Sequence, residues 1–136
     1  MTVKFNIVER GNPSNREAPK KFYPSIQSTG RVSTREMAEM AAQRSTLSTM
    51  DMMAAIESFL TIIPEQLAKG NIVELGDFGS FWLRSNSEGT PSPEGVRASH
   101  ISSILPRFNP AKEFKRTLDG IEFVKGSMVS QPEEQP

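Results

Sequence analysis

Residues 67–81 read LAKGNIVELGDFGSF and contain the clearest change of apolar pattern in the chain. Upstream of Gly70, apolar residues recur every three or four positions, which is typical of an amphipathic helix. Beyond Gly70 the apolar period changes to two, which predicts two strands joined by a tight turn. We interpret Gly76 and Gly79 as residues that allow the backbone to make this tight turn, and not as a phosphate cradle. The stretch therefore predicts a helix that ends at Gly70 and leads into a hairpin.

Two helices are expected before this point. Ser33 and Glu36 have the spacing of a capping box, so a first helix is predicted to begin at Thr34. Ser48 with Asp51 repeats the start signal for a second, longer helix. The apolar stripe of that helix comprises Met52, Ala55, Ile56, Phe59, Leu60, Ile63 and Leu67. We expect this stripe to form the core and a dimer interface, because apolar residues at helical spacing are usually buried.

Downstream of the hairpin turn, strand character holds through residues 81–83 and is then lost. From Ser85 to Ser99 the chain is rich in Ser, Gly and Pro, which indicates a mobile loop or a protruding arm. Strand character returns at residues 101–105. Asn109 is predicted to cap a short helix that has Pro110 at its first position and ends at Gly120.

The two ends of the chain add further strands. Residues 3–8 alternate apolar and polar side chains, and residues 21–26 are able to pair with them in a hairpin. Pro24 places the second of these strands at an edge or at the end of the pairing, because proline cannot donate to a ladder. Residues 121–125 predict one more strand. We therefore expect an added hairpin at 1–31, a domain at 32–125 and a disordered tail at 126–136.

Composition excludes several classes of protein. The 136 residues suit one compact domain with additions. There is no Cys, and His100 is the single histidine, so we expect neither a metal site nor a cofactor. The N-terminal ten residues have no long apolar run, which favours a cytoplasmic protein without a membrane partner. No activated nucleophile or acid–base pair stands out, so we expect no enzyme and no small-molecule substrate.

Charge is balanced in total but segregated along the chain. The sixteen Lys and Arg match the sixteen Asp and Glu. Residues 1–35 hold seven basic and two acidic side chains, whereas residues 36–84 hold three and seven. A protein that coats DNA by charge alone would be strongly basic, so the distribution of cations is more informative than their sum.

Two strings together resemble the bacterial histone-like HU and integration host factor (HU/IHF) family. Residues 67–81 look like the family's helix end and Gly-x-Phe-Gly-x-Phe turn. Residues 106–112, PRFNPAK, are similar to its Pro-x-Phe-x-Pro-Gly-Lys signature, with Ala111 in place of the usual Gly. The resemblance covers Val32 to Asp119. It implies an α+β, HU/IHF-like fold with two N-terminal helices, a three-stranded sheet with a protruding β-arm, a short C-terminal helix and, here, extra terminal strands of a divergent subfamily.

The resemblance also implies a function. HU-type proteins are nucleoid-associated dimers that bind and bend DNA with little sequence specificity, using paired arms in the minor groove and a proline wedge at each arm tip. Carried over to this chain, Pro91 or Pro93 is the wedge candidate. The candidate phosphate contacts are Arg84, Arg97, Arg107, Lys112, Lys115 and Arg116. We expect DNA and a second copy of the chain as partners, with Lys20 and Lys21 as a possible separate footprint on DNA.

A second interpretation stays open. The arm lacks the family's Arg-Asn-Pro tip, and Glu88 and Glu94 oppose its single cation, Arg97. Acidic side chains repel phosphates, so the counterion release that drives DNA binding would be small there. The alternative is therefore a dimeric protein-interaction module that keeps the HU scaffold and has lost DNA binding.

Overall fold

A computed structural model describes residues 1–128, which form two compact units. The terminal unit combines residues 1–31 with residues 118–128, and the central unit comprises residues 32–117. Within the described residues, no helix has both the length and the apolar character needed to cross a membrane.

The terminal unit is a three-stranded sheet. Its strands are β1 (Thr2–Arg10), β2 (Lys21–Ile26) and β6 (Glu122–Met128), in the order β2-β1-β6. β1 and β2 pair antiparallel as the alternating sequence predicts, and β6 pairs parallel to β1. Pro24 lies in β2, an outer strand of this sheet, where its missing N–H costs no ladder bond.

The C-terminal strand differs from its prediction in its bounds and in the unit to which it belongs. We expected a strand over residues 121–125 within the domain at 32–125, followed by a disordered tail from residue 126. The strand instead runs from Glu122 to Met128, and its pairing partner is β1. Residues 126–128 are therefore strand, and the rest of the expected tail, 129–136, lies outside the described residues.

The central unit begins with two helices, α1 (Thr34–Gln43) and α2 (Thr49–Ala68). The predicted capping box is present at the start of α1: the Glu36 N–H donates to Ser33 Oγ over 3.2 Å, and the Ser33 N–H donates to Glu36 Oε2 over 2.9 Å. At the start of α2, the Asp51 N–H donates to Ser48 Oγ over 3.1 Å. These bonds satisfy donors that a helix N-terminus otherwise leaves unpaired.

Gly70 ends the second helix as predicted, with a φ of 87° that a residue with a side chain rarely adopts. An antiparallel sheet follows in the order β3-β4-β5, with β3 (Val73–Glu74), β4 (Gly79–Ser87) and β5 (Ile101–Pro110). The last helix is α3 (Lys112–Asp119).

The start of α3 corrects a prediction. Asn109 and Pro110 belong to β5, paired with Ser80 and Gly79, and do not begin the helix. The Ala111 carbonyl accepts the first helical bond, from the Lys115 N–H at 3.1 Å. Proline suits a strand end as well as the first turn of a helix, which is why the sequence signal was ambiguous.

Gly79 lies where two backbones approach closely. Its φ is 146°, and a Cβ atom there would lie 2.7 Å from Phe108 Cε2 and would collide with the Asn109 carbonyl oxygen. The turn before it is closed by the Leu75 N–H, which donates to the Gly79 carbonyl over 2.8 Å. Glycine is therefore required by space as well as by backbone conformation.

Four phenylalanines pack together beside this turn. Ring centroids are 5.0 Å apart for Phe81 and Phe108, and 5.1 Å apart for Phe78 and Phe114. Phe108 also contacts Phe78 and Phe114, at 5.2 and 5.6 Å. These spacings are those of favourable aromatic pairs, and they place the cluster in the role of a core.

The single chain nevertheless leaves much apolar surface exposed, and Phe78 and Phe108 of this cluster are themselves 47% and 37% exposed. Among the described residues, the buried apolar side chains are those of Ala38 and Leu67. Met50, Phe59 and Leu60 of α2 are 81%, 58% and 53% exposed. Such large apolar surface on one helix is the kind of surface that a partner covers.

Candidate nucleic-acid interface

One face of the β4–β5 hairpin carries Trp82, Arg84, Leu105 and Arg107, and we call it the cationic face. The register places Trp82 opposite Arg107 and Arg84 opposite Leu105. Directly opposed residues of an antiparallel pair project to the same side, and side chains alternate along each strand. All four side chains therefore lie on one face of the hairpin.

The other face of the same strands holds aromatic packing. Phe81 is opposite Phe108, and their rings are in contact. The sequence left open whether Phe81 or Trp82 is exposed. Phe81 packs into the aromatic cluster, whereas Trp82 remains 38% exposed across from Arg107. Strand alternation thus assigns one aromatic residue to the core and its neighbour to the cationic face.

Within residues 1–128, the two arginines of the cationic face are exposed and form no ion pair. The ion pairs found in residues 1–128 join Arg35 to Glu39 and Arg116 to Glu113. Arg84 and Arg107 therefore keep their full set of N–H donors. A guanidinium binds phosphate through two parallel hydrogen bonds, and an exposed indole beside it offers an apolar surface to a sugar or base.

The same face continues outward as a polar strip. Asn86 Nδ2 donates to Ser103 Oγ over 3.2 Å, directly across the two strands. Ser102 Oγ donates to the Asn86 carbonyl over 3.1 Å, next to a register shift between Asn86 and Ser87. Sequence reasoning missed this strip, although the period of two from Trp82 through Arg84 to Asn86 was visible.

The hairpin ends in a loop at residues 88–100. Of the predicted arm, Ser85–Ser87 belong to β4, and the last ladder pair is Ser87 with Ile101. The loop itself contains two short 3₁₀ turns, Pro93–Gly95 and Ala98–His100. It is tied at its base by the Glu88 N–H, which donates to the His100 carbonyl over 3.2 Å.

The loop exposes both proline candidates together with charges of both signs. Pro91 and Pro93 are exposed, as are Glu88 and Glu94. The exposed Arg97 uses its backbone N–H to donate to His100 Nδ1 over 3.0 Å. His100 is half-buried, and its ring nitrogen accepts the bond that closes this turn.

Helix α3 carries the next three predicted contacts. Lys112, Lys115 and Arg116 are all exposed. Arg116 Nη2 lies 3.2 Å from Glu113 Oε1, whereas Lys112 and Lys115 form no ion pair within the described residues. An exposed pair of this kind contributes about 0.3–0.5 kcal/mol, so Glu113 offsets part of the charge that Arg116 would offer a phosphate.

Lys20 and Lys21 belong to the terminal unit and are exposed. Lys21 begins β2 and is directly opposite Arg10 of β1. These two lysines are considered separately from the cationic face. Within residues 1–128, no group of His, Asp and Glu side chains is arranged to hold a metal ion.

Comparison with known sequences finds a family model that matches residues 1–125, described as an HU domain fused to a winged helix-turn-helix, immunoglobulin-like or glycine-rich motif (HU-HIG). Integration host factor subunit beta of Burkholderia cenocepacia (strain HI2424) is 30% identical over 86 residues, covering 62% of this chain and 80% of that protein. The same subunit of Shewanella pealeana is 31% identical over 85 residues, covering 61% and 90%.

Two solved structures share the fold. A chain from Bacteroides vulgatus ATCC 8482, described as a candidate bacterial DNA-binding protein, superposes with a TM-score of 0.63 at 12% identity. The match covers 94% of this chain and 49% of that chain, so this chain spans about half its length. The Anabaena HU protein crystallised with DNA gives a TM-score of 0.53 at 20% identity, covering 65% of this chain and 99% of that chain.

Proposed function

The chain belongs to the HU-HIG family of HU/IHF-type histone-like proteins, and from that membership we propose that it is a dimeric, architectural DNA-binding protein. The observation that carries the proposal is the cationic face, where two exposed arginines, which form no ion pair within the described residues, flank an exposed tryptophan. The Anabaena neighbour, crystallised with DNA, supports the choice of ligand. In this role the protein is nucleoid-associated and performs no catalysis.

The proposed contacts fall into two groups. Arg84 and Arg107 hold phosphates against the sheet, with Lys112, Lys115 and Arg116 of α3 as further phosphate contacts. These contacts carry no base information, so binding is largely independent of sequence. The loop at 88–100 enters the minor groove, where Pro91 or Pro93 partly unstacks a base step and Arg97 contacts the backbone.

A dimer is part of the same proposal. Helix α2 exposes Phe59, Leu60 and Ile62, and a second copy covers such a surface by twofold pairing. Light scattering at micromolar concentration is expected to give twice the 15.1 kDa mass of the chain. A monomeric mass under those conditions would contradict this part of the proposal.

The test of DNA binding is a fluorescence-anisotropy titration of a mixed-sequence duplex at low and at physiological salt. Replacing Arg84 by Ala is expected to weaken binding about fivefold and to reduce the slope of log K against log salt by about 0.9, the loss of one phosphate contact. The matched control is Arg35→Ala, which removes the same charge from an exposed site on α1. Equal affinities for the two variants would remove the cationic face from the interface.

The second candidate function is a protein-interaction module without DNA binding. The observations that favour it are the zero net charge and the exposed Glu88 and Glu94 at the tip of the hairpin. The same titration separates the candidates. Binding that weakens steeply with salt supports DNA as the ligand, and no binding even at low salt supports the interaction module.

A further inference from the structure

The terminal unit contains a cleft that the proposed DNA-binding role of the central unit does not use. It has a volume of about 450 Å³ and is lined by Arg10, Lys21 and Tyr23 together with the connecting turn, residues 11–13, 18 and 19. Clefts that bind small ligands commonly have volumes of about 300–1,000 Å³. The cleft is therefore large enough to hold a ligand of nucleotide size.

The strand register brings the three side chains to the same side of the sheet. Arg10 is directly opposite Lys21, and Tyr23 follows Lys21 by two residues on β2. Glu9 is opposite Phe22 and so projects to the other face. Among the described residues, the lining of the cleft contains two cations and no carboxylate.

The pairing of Arg10 with Lys21 is unfavourable on its own. Like charges directly opposite each other in a sheet are destabilising, because their Cβ atoms are about 5 Å apart. Neither cation forms an ion pair within the part of the chain that the structure describes. An anion bound between the two side chains would relieve the repulsion and use their free donors.

Tyr23 indicates a second property of the ligand, an aromatic group. Its ring is 43% exposed and lines the same cleft as the two cations. An exposed aromatic ring beside cations is suited to stacking against a nucleobase. We propose that the cleft formed by Arg10, Lys21 and Tyr23 binds a nucleotide, with the phosphate held between the cations and the base against the tyrosine.

The test is an NMR titration of the full chain at constant ionic strength, following the backbone amides of residues 10–12, 18 and 20–23. The probes are AMP, adenosine and inorganic phosphate. AMP is expected to shift these amides saturably, phosphate to do so more weakly, and adenosine to have little effect. If adenosine acts as strongly as AMP, or if AMP gives no saturable shifts, the proposal is wrong.

Variants assign the contacts. Arg10→Ala and Lys21→Ala are each expected to weaken AMP binding about tenfold, the loss of one charge-assisted hydrogen bond. Tyr23→Leu is expected to abolish the preference for AMP over phosphate. The control is Lys4→Ala, which removes a cation from the same strand about 20 Å away and is expected to leave binding within about twofold. Amide shifts elsewhere in the sheet show that each variant is folded.

A short duplex distinguishes the two sources of a nucleotide phosphate. Saturable shifts with AMP show that a free nucleotide is enough to bind the cleft. Shifts with the duplex alone show that the cleft binds the phosphate backbone of a nucleic acid instead. Shifts with AMP support the proposal, whereas shifts with the duplex alone contradict it, because the stacked bases of a duplex offer no free face to Tyr23. The AMP titration and the DNA titration test different units of the chain. The Arg84→Ala variant alters the central unit and leaves Arg10 and Lys21 unchanged, so failure of one proposal is distinguishable from failure of the other.

Discussion

The base and the tip of the β4–β5 hairpin differ in what their side chains do. At the base, Phe81 and Phe108 pack with two further aromatic rings and Gly79 allows the backbones to approach. Toward the tip, Ile104 is 60% exposed and the loop presents prolines and charges to solvent. One continuous hairpin thus stabilises the fold at one end and leaves the other end available for binding.

The largest effect is expected at Gly79. Replacement by Ala forces a Cβ atom against Phe108 and the Asn109 carbonyl at a positive φ, which is expected to cost about 3 kcal/mol of unfolding free energy. The measurement is urea denaturation at fixed protein concentration. Gly89→Ala at the tip is the control, because nothing lies within 4 Å of its added Cβ atom, and a change within about 0.5 kcal/mol is expected. Equal losses of unfolding free energy for the two variants would contradict the view that the base of the hairpin is tightly packed and its tip is not.

A smaller effect is expected at Phe108. Its ring contacts Phe78, Phe81 and Phe114, but the residue is 37% exposed, so replacement by Ala is expected to cost about 2 kcal/mol, less than a fully buried Phe. Ile104→Ala, on the same face farther out, serves as the control and is expected to change stability by less than about 0.5 kcal/mol. Thermal or urea unfolding measures both, and a larger loss at Ile104 would show that the tip also contributes to folding.

The smallest effect concerns function at the tip. Replacing Glu88 and Glu94 together by Gln removes two exposed negative charges. If the loop approaches DNA, affinity for a duplex is expected to rise about threefold at low salt, with the gain shrinking as salt screens the charges. Anisotropy titrations of the two proteins check this. An unchanged affinity would place the loop away from the phosphates.

Local signals explain which elements could be predicted from the sequence. Ser33 with Glu36, Ser48 with Asp51, and Gly70 each specify a helix end through bonds spanning a few residues, and all three predictions were confirmed. Pro110 was misassigned because proline suits two kinds of element. The partner of β6 could not be predicted, since no local pattern indicates which distant strand it joins.

The residues of the candidate site could be predicted from the sequence, but their arrangement could not. Arg84 and Arg107 could be chosen by residue type and position, but placing them on one face with Trp82 required the strand register. Two adjacent aromatics, Phe81 and Trp82, gave no indication of which one faces the core. For the same reason, the opposition of Arg10 and Lys21 became evident only from the pairing of β1 with β2.

The parallel pairing of β6 with β1 has a consequence for synthesis of the chain. Thr2 pairs with Glu122, so the two strands are separated by about 120 residues. The hairpin of β1 and β2 emerges from the ribosome well before β6 is synthesised. One edge of β1 remains unpaired during that interval. The central unit, whose strands and helices are contiguous in the chain, has emerged by then and is able to fold first. The terminal sheet is therefore completed only after β6 has been synthesised, later than the central unit is able to fold.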